Sequence, residues 1–437
     1  MQKMMYQPEI ETMKREDLRA LQLAKLQKQV EHAYRDVPHY KKLLDERGVR
    51  PEHIQSLSDV SLLPLTTKED LRQTYPFGMF GVPQREVVRI HASSGTTGKP
   101  TVVGFTKADL NVWSDCIARL CTAVGVTDED VAQISFGYGL FTGALGLHMG
   151  LEKLGVSVIP ISSGNTDKQL MLMEDFGTTV LIATPSYALY LSEMIHERGL
   201  SNRLKLRIGL FGSEGCTPEM RAQIEKNMNL FATDNYGLSE CGGPGMSGEC
   251  YLRNGLHIAE DHFLCEIIDS KTLEPKHEGE QGELVVTCLS KQCLPVLRYR
   301  TKDITSIDYS PCACGRTFAR MAKVTDRADD MLIIKGVNVF PSQIESVLIG
   351  MEDVGPHYQL VLRRKNYMDN LEVKVELIDS ALLERFAELE GLQRRIHDRL
   401  KSVLGLECRV SLVEPGTLER FQGKAKRVLD LRKEPAE

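Results

Sequence analysis

The sequence predicts an α/β protein: a large N-terminal α/β domain with a β subdomain, followed by a small α+β C-terminal domain. Three observations carry this expectation. The chain has 437 residues, more than one compact core usually holds. Short β-branched runs alternate with longer helix-like stretches between about Glu86 and Glu283. The texture then changes twice, near Phe263 and after Asp329, which puts the domains at 1–329 and 330–437.

Taken in order, Lys14 to Tyr34 sets Leu18, Leu21, Leu26, Val30 and Ala33 at helical spacing among charges, a helix that stops before Pro38. The runs Val87 to Ile90, Val156 to Ile159, Val180 to Ala183 and Ile208 to Phe211 read as strands of a largely parallel sheet. From Phe263, the segments Glu266 to Ser270, Glu283 to Thr287 and Pro295 to Arg300 read as antiparallel strands of the β subdomain. The C-terminal domain reads as a strand Tyr358 to Leu362, a turn near Asn366 to Asn370, a strand Leu371 to Leu377, a helix from about Ala381 to Leu404 and a strand Cys408 to Leu412.

With 42% apolar and 26% charged residues the chain is neither disordered nor fibrous. A net charge of −6 argues against general nucleic-acid binding, which needs a cationic face. Met1 to Thr12 lacks the apolar core of a signal peptide, and no apolar run is long enough to cross a bilayer. A cytoplasmic protein without a membrane partner is expected. Eleven cysteines fit reduced thiols better than a disulfide framework. Of these, Cys116, Cys121, Cys216, Cys265, Cys288, Cys293 and Cys408 sit among apolar neighbours and read as small buried hydrophobes.

The stretch His91 to Thr101 follows a strand and is dense in glycine, hydroxyls and one lysine. Glycines let main-chain N–H groups approach an anion, Ser93, Ser94, Thr96 and Thr97 add hydroxyl donors, and Lys99 adds charge, so phosphate is the expected ligand. A plain surface turn has the same composition. A Walker loop is excluded by spacing, because only two residues separate Gly95 from Gly98 and Pro100 follows Lys99.

The loop resembles the phosphate loop of the adenylate-forming superfamily, and further motifs follow in order. Asn235-Tyr236-Gly237-Leu238-Ser239-Glu240 is similar to the aromatic-Gly-x-Ser/Thr-Glu motif, and Tyr299-Arg300-Thr301-Lys302-Asp303 to the Tyr-Arg-Thr-x-Asp motif. Asp326-Arg327-Ala328-Asp329-Asp330 resembles the hinge, with Asp326 in place of glycine, and Gly423-Lys424 the motif of the catalytic lysine. Within the superfamily, the segments from Phe136 to Gly143, Gly255 to His262 and Asp330 to Pro341 most closely resemble the phenylacetate–coenzyme A ligase branch.

This resemblance implies ATP-dependent activation of a small-molecule carboxylic acid as an acyl-adenylate, then transfer to coenzyme A. It places ATP on Ser93, Ser94, Gly95, Thr96, Thr97, Gly98, Lys99, Ser213, Glu214, Gly215, Asn235, Tyr236, Gly237, Ser239, Asp303 and Arg327. Glu240 is the implied Mg²⁺ ligand, a carboxylate for a hard cation, and Lys424 the cation offsetting charge during adenylation. Asp329 becomes the hinge of a mobile C-terminal domain, and Lys335 and Gly336 lie near the coenzyme A thiol. Tyr138, Phe141, Gly143 and Pro244 are candidates for the acid pocket, although core packing explains the aromatics equally well.

Cys250, His257, Cys312 and Cys314 form a separate thiolate-rich set suited to structural Zn²⁺, although Cys312-Ala313-Cys314 is a tighter pair than usual. The resemblance does not assign it. Two other functions stay open: adenylation with a different acceptor, such as a carrier-protein thiol or a deazaflavin hydroxyl, and a noncatalytic nucleotide-binding regulator. Whether the chain forms a homodimer is also open.

Overall fold

The computed structural model describes residues 4–93, 100–213, 216, 218–324, 326–327, 332–339, 341–348, 351, 353–365, 368–418 and 428–432. They form two compact units, the larger made of Met1–Ser93 and Thr101–Ala328, the bulk of the smaller being Asp329–Glu437.

A nine-stranded sheet organises the larger unit. Across it, Ser157–Ile159, Val131–Ile134, Val180–Ala183, Ile208–Gly212 and Phe231–Leu238 are parallel neighbours. Gly243–Glu249, Leu256–Ile258, Arg320–Met321 and Ile307–Asp308 then continue it antiparallel. The strands Val180–Ala183 and Ile208–Gly212 are buried throughout, which is why their sequences run apolar without alternation. Helices pack on these strands, and their starts are written locally. Thr106 and Asp109 form a capping box on Lys107–Ala123, and Thr184 caps Pro185–Glu197, with proline in its first turn.

The amino-terminal helix runs Arg15–Asp36 and buries Leu18, Gln22, Leu26, Gln29, Val30 and Ala33. Leu21 is only half-buried, and Gln22 takes the inner place because its amide donates to the Glu260 carbonyl at 2.8 Å. Pro38 does end this helix, but it also opens the next, Pro38–Glu46, since a first-turn residue needs no N–H partner. Two strand expectations change, and one strand was not foreseen. Pro295 to Arg300 gives way to Tyr299–Thr305, because Arg298, at φ 44°, breaks the run before it. The run at Val87 becomes Arg89–Ser93, which pairs antiparallel with Thr101–Phe105 in a separate two-stranded ribbon. Val131–Ile134, not anticipated, joins the parallel sheet because its neighbours bury it on both sides. The β subdomain pairs Phe263–Ile268, Gly282–Cys288 and Tyr299–Thr305 antiparallel, with Asp326–Arg327 at the end.

In the smaller unit Val354–Lys365 and Met368–Leu377 form a hairpin, flanked in parallel by Val428–Asp430 and Arg409–Val413. The helix Phe386–Leu404 lays Leu392, Ile396, Leu400 and Leu404 inward at four-residue spacing. Gly405, at φ 71°, ends it in the left-handed conformation that favours glycine. Among the described residues every cysteine is free, and no helix is long and apolar enough to cross a membrane.

Candidate active site

The carboxyl ends of parallel strands gather side chains on one side of a sheet. Ile208–Gly212 and Phe231–Leu238 are in register with Gly212 opposite Asn235, so Ser213 leaves the sheet at the level of Asn235, while Ser239 and Glu240 follow the end of the longer strand. The loop with Tyr138 and Phe141 follows Val131–Ile134, another strand of this parallel set. Contact at the first junction is close. The Asn235 amide donates to the Phe211 carbonyl at 2.7 Å, and a Cβ at Gly212 would stand 2.9 Å from the Asn235 carbonyl oxygen.

Two of the motifs meet directly. The Tyr236 hydroxyl donates to the Asp303 carboxylate at 2.5 Å, although 67 positions separate the two residues. Burial and then the Asp303 charge hold the phenol well above its ordinary pKa, which keeps it a donor. Asp303 also donates its own amide to Thr301 Oγ1 at 3.0 Å and stands opposite Arg327 in the strand register. The other cations of that motif are engaged elsewhere. Arg300 and Lys302 pair with the buried Glu283 at 2.6 and 3.5 Å.

Beyond Tyr236 the chain passes so near its own return that a Cβ on Gly237 would lie 1.9 Å from the Gly243 carbonyl oxygen. Ser239 Oγ then bonds Thr142 Oγ1 at 2.8 Å, and Glu240 is buried, only 6% exposed. Lys291, itself buried, donates its ammonium to the Glu240 carbonyl at 3.0 Å from 4.4 Å over the Phe105 ring. That contact fixes the main chain carrying the Glu240 carboxylate. Thr142 falls in the segment Phe136 to Gly143 that the resemblance singled out, but nothing in the local sequence marked Lys291, and their partners lie 97 and 51 residues away.

Burial shifts two titratable groups of these segments. Burial pushes the Asp234 carboxyl up to about 6 against the pull of Lys323, which lies 3.5 Å away. Burial likewise lowers the His91 pKa, and its Nδ1 bonds the Leu140 carbonyl at 3.0 Å. The amide of Ala92 donates to the same carbonyl at 2.9 Å, tying the ribbon to the loop that carries Phe141.

The acid-pocket candidates divide into two places. The Phe141 ring lies against Gly143, where a Cβ would stand 2.7 Å from Cε1, and the Tyr138 hydroxyl is bonded to His148 Nδ1 at 3.0 Å. Pro244 instead borders an apolar cavity of about 30 Å³ with Trp113, Cys116, Met246 and Phe263, which Tyr138 and Phe141 do not line. Lys335 and Gly336 form the two-residue turn between Leu332–Ile334 and Val337–Val339, both at positive φ, 50° and 75°. Cys250, His257, Cys312 and Cys314 converge at the antiparallel edge of the large sheet. Ser94, Gly95, Thr96, Thr97, Gly98, Lys99, Glu214, Gly215, Asp329 and Lys424 lie outside the described residues.

Residues 21–288 match the AMP-binding enzyme family and residues 336–432 the AMP-binding enzyme C-terminal domain. The chain is 47% identical to the phenylacetate-coenzyme A ligase of Thermus thermophilus over 98% of its length and 100% of that protein. Identity to the Escherichia coli protein of that name is 46%, over 97% of each. Among solved structures, 2-hydroxyisobutyryl-CoA ligase in complex with 2-HIB-AMP and CoA superposes with a TM-score of 0.93 at 28% identity, covering 98% of this chain and 92% of that one.

Proposed function

The chain belongs to the AMP-binding enzyme family, and we propose that the acid it activates is phenylacetate or a close aryl relative. Its activity is ATP-dependent ligation of an acyl group to coenzyme A through an acyl-adenylate. One observation supports the residue roles best: the Tyr236–Asp303 bond, which brings two separate motifs into direct contact.

A carboxylate resists nucleophiles because of its own charge. In the first step a carboxylate oxygen bonds the α-phosphorus of ATP while the bond to pyrophosphate breaks. In the second, the coenzyme A sulfur bonds the acyl carbon, and AMP and a proton leave. In this reading Asp303, oriented by Tyr236, accepts from the ribose hydroxyls, and Arg327, opposite it in register, adds a nucleotide contact. Ser213, Asn235 and Gly237 lie along the adenine side, where Gly212 lets the chain pass close. The loop Ser93 to Lys99 takes the phosphates, with Glu214 and Gly215 near the base.

Glu240 suits Mg²⁺, since it offers a buried carboxylate on a main chain held by Lys291, and the ion would offset phosphate charge. Lys424 is assigned to the developing charge of adenylation, Asp329 to the hinge between domains 1–329 and 330–437, and the Lys335-Gly336 turn to the thiol. Tyr138, Phe141 and Gly143 are assigned to the aryl ring. Zinc enters this reading only as a structural ion at Cys250, His257, Cys312 and Cys314, apart from the reacting atoms.

A coenzyme A dependent pyrophosphate-release screen over aryl and aliphatic acids tests the proposal. Phenylacetate or a near aryl analogue should give the highest kcat/KM, with one coenzyme A consumed per pyrophosphate. Pyrophosphate release without thiol consumption would instead point to another acceptor, and a preference for short aliphatic acids would remove the aryl assignment.

A further inference from the structure

We propose that Cys250, His257, Cys312 and Cys314 hold one Zn²⁺ and that this ion clasps the amino-terminal segment onto the edge of the large sheet. The proposal extends the zinc reading from a site to what the site holds together.

The four ligand atoms all lie within 4.8 Å of one another, and three of the residues are buried. A tetrahedral ion with ordinary Zn–S and Zn–N bonds separates sulfur from nitrogen by about 3.6 Å. Cys314 Sγ and His257 Nε2 are 3.4 Å apart. The histidine is also set in the required tautomer: its Nδ1 lies 3.3 Å from the Phe318 carbonyl, an acceptor only, so Nδ1 carries the proton and Nε2 presents its lone pair. Three thiols and an imidazole that can be oriented this way are the donor set of a closed structural zinc site.

The ligands come from three places in the fold. Cys250 directly follows Gly243–Glu249, His257 lies on Leu256–Ile258, and Cys312 and Cys314 sit between Ile307–Asp308 and Arg320–Met321. The edge strands involved are two or three residues long, with few ladder bonds of their own to fix the 312–317 loop.

That loop is where the amino terminus docks. Arg316 Nε donates to buried Glu11 at 2.7 Å, and a second guanidinium nitrogen donates to the Met4 carbonyl. The Thr317 amide donates to the Glu11 carbonyl at 3.0 Å and its hydroxyl to the Met13 carbonyl at 2.6 Å. A Cβ on Gly315 would stand 3.4 Å from Met5 Cε. An ion that fixes Cys312 and Cys314 therefore fixes the surface on which Met4 to Met13 rest.

The test combines metal analysis with hydrogen exchange. Protein purified without chelator should carry about one zinc per chain. Cys312→Ser, and wild type stripped by a chelator, should both lose the ion, and amide exchange in residues 4–13 should accelerate on the order of tenfold or more. Adding Zn²⁺ back should restore protection in the stripped wild type. Cys116→Ser, a buried thiol outside the cluster, should keep both zinc and protection. Metal-free wild type, or a disulfide within the set, overturns the zinc site. Zinc present and removable without a change in exchange at residues 4–13 overturns the clasp and leaves the site standing.

Discussion

At the scale of single residues, the contact that decides most is the one between Tyr236 and Asp303. A hydrogen bond to a charged group is worth about 1.5–3 kcal/mol. Tyr236→Phe leaves the carboxylate unoriented, so kcat/KM for ATP should fall about tenfold or more, and steady-state kinetics at saturating acid will show it. An unchanged ATP dependence would separate Tyr236 from nucleotide binding. Lys424 makes a different prediction because its assigned charge is needed only in the first step. Lys424→Ala should abolish pyrophosphate release yet still form thioester from supplied acyl-adenylate; equal loss in both half-reactions would remove the assignment. The sequence marked Asp303, Tyr236 and Lys424 through their motifs. It could not mark Lys291, because a lysine between Ser290 and Gln292 has nothing local to distinguish it from a surface cation.

At the scale of elements, the strand Phe231–Leu238 and its return at Gly243–Glu249 carry the motif and fix where Glu240 points. The 1.9 Å approach at Gly237 is to main chain, which cannot swing aside as a flexible side chain can. Gly237→Ala should therefore cost about 3 kcal/mol or more, the upper range for overpacking, with a matching fall in melting temperature. Gly139→Ala, with nothing within 4 Å of its added carbon, should be tolerated and serves as the control. Equal stability of the two variants would contradict the close crossing. Element types were largely legible, since Val180–Ala183 and Ile208–Gly212 are apolar runs of strand length bounded by turns. Strand partners were not. Arg89–Ser93 has the composition of a sheet strand, and only its neighbours place it in a separate ribbon.

At the scale of the whole molecule, a buried ion pair links the helix Lys107–Ala123 to the chain beyond Leu256–Ile258. Arg119 donates twice to Asp261, at 2.6 and 2.7 Å, with both side chains buried. Burial alone would raise the Asp261 pKa, but bonds from His262 and Arg119 outweigh it and hold the carboxyl far below the usual 3.8. A carboxyl depressed on folding contributes stability that is present above its unfolded pKa and lost as pH falls toward the folded one. Asp261→Asn should thus cost about 3–5 kcal/mol at pH 7, because it strands a buried guanidinium. Melting curves should show the gap from wild type shrinking only below about pH 4. A gap constant down to pH 2 would refute the linkage. By itself the sequence determined the two-part α/β plan from its change of texture, the class of chemistry through motifs that resemble the adenylate-forming superfamily, and the residue types of the four zinc candidates. Tertiary structure alone decided that Tyr236 meets Asp303, that Lys291 holds Glu240 and that Cys250 and His257 face Cys312 and Cys314. Those meetings depend on sheet register and chain crossings between residues dozens of positions apart, and local spacing does not encode them.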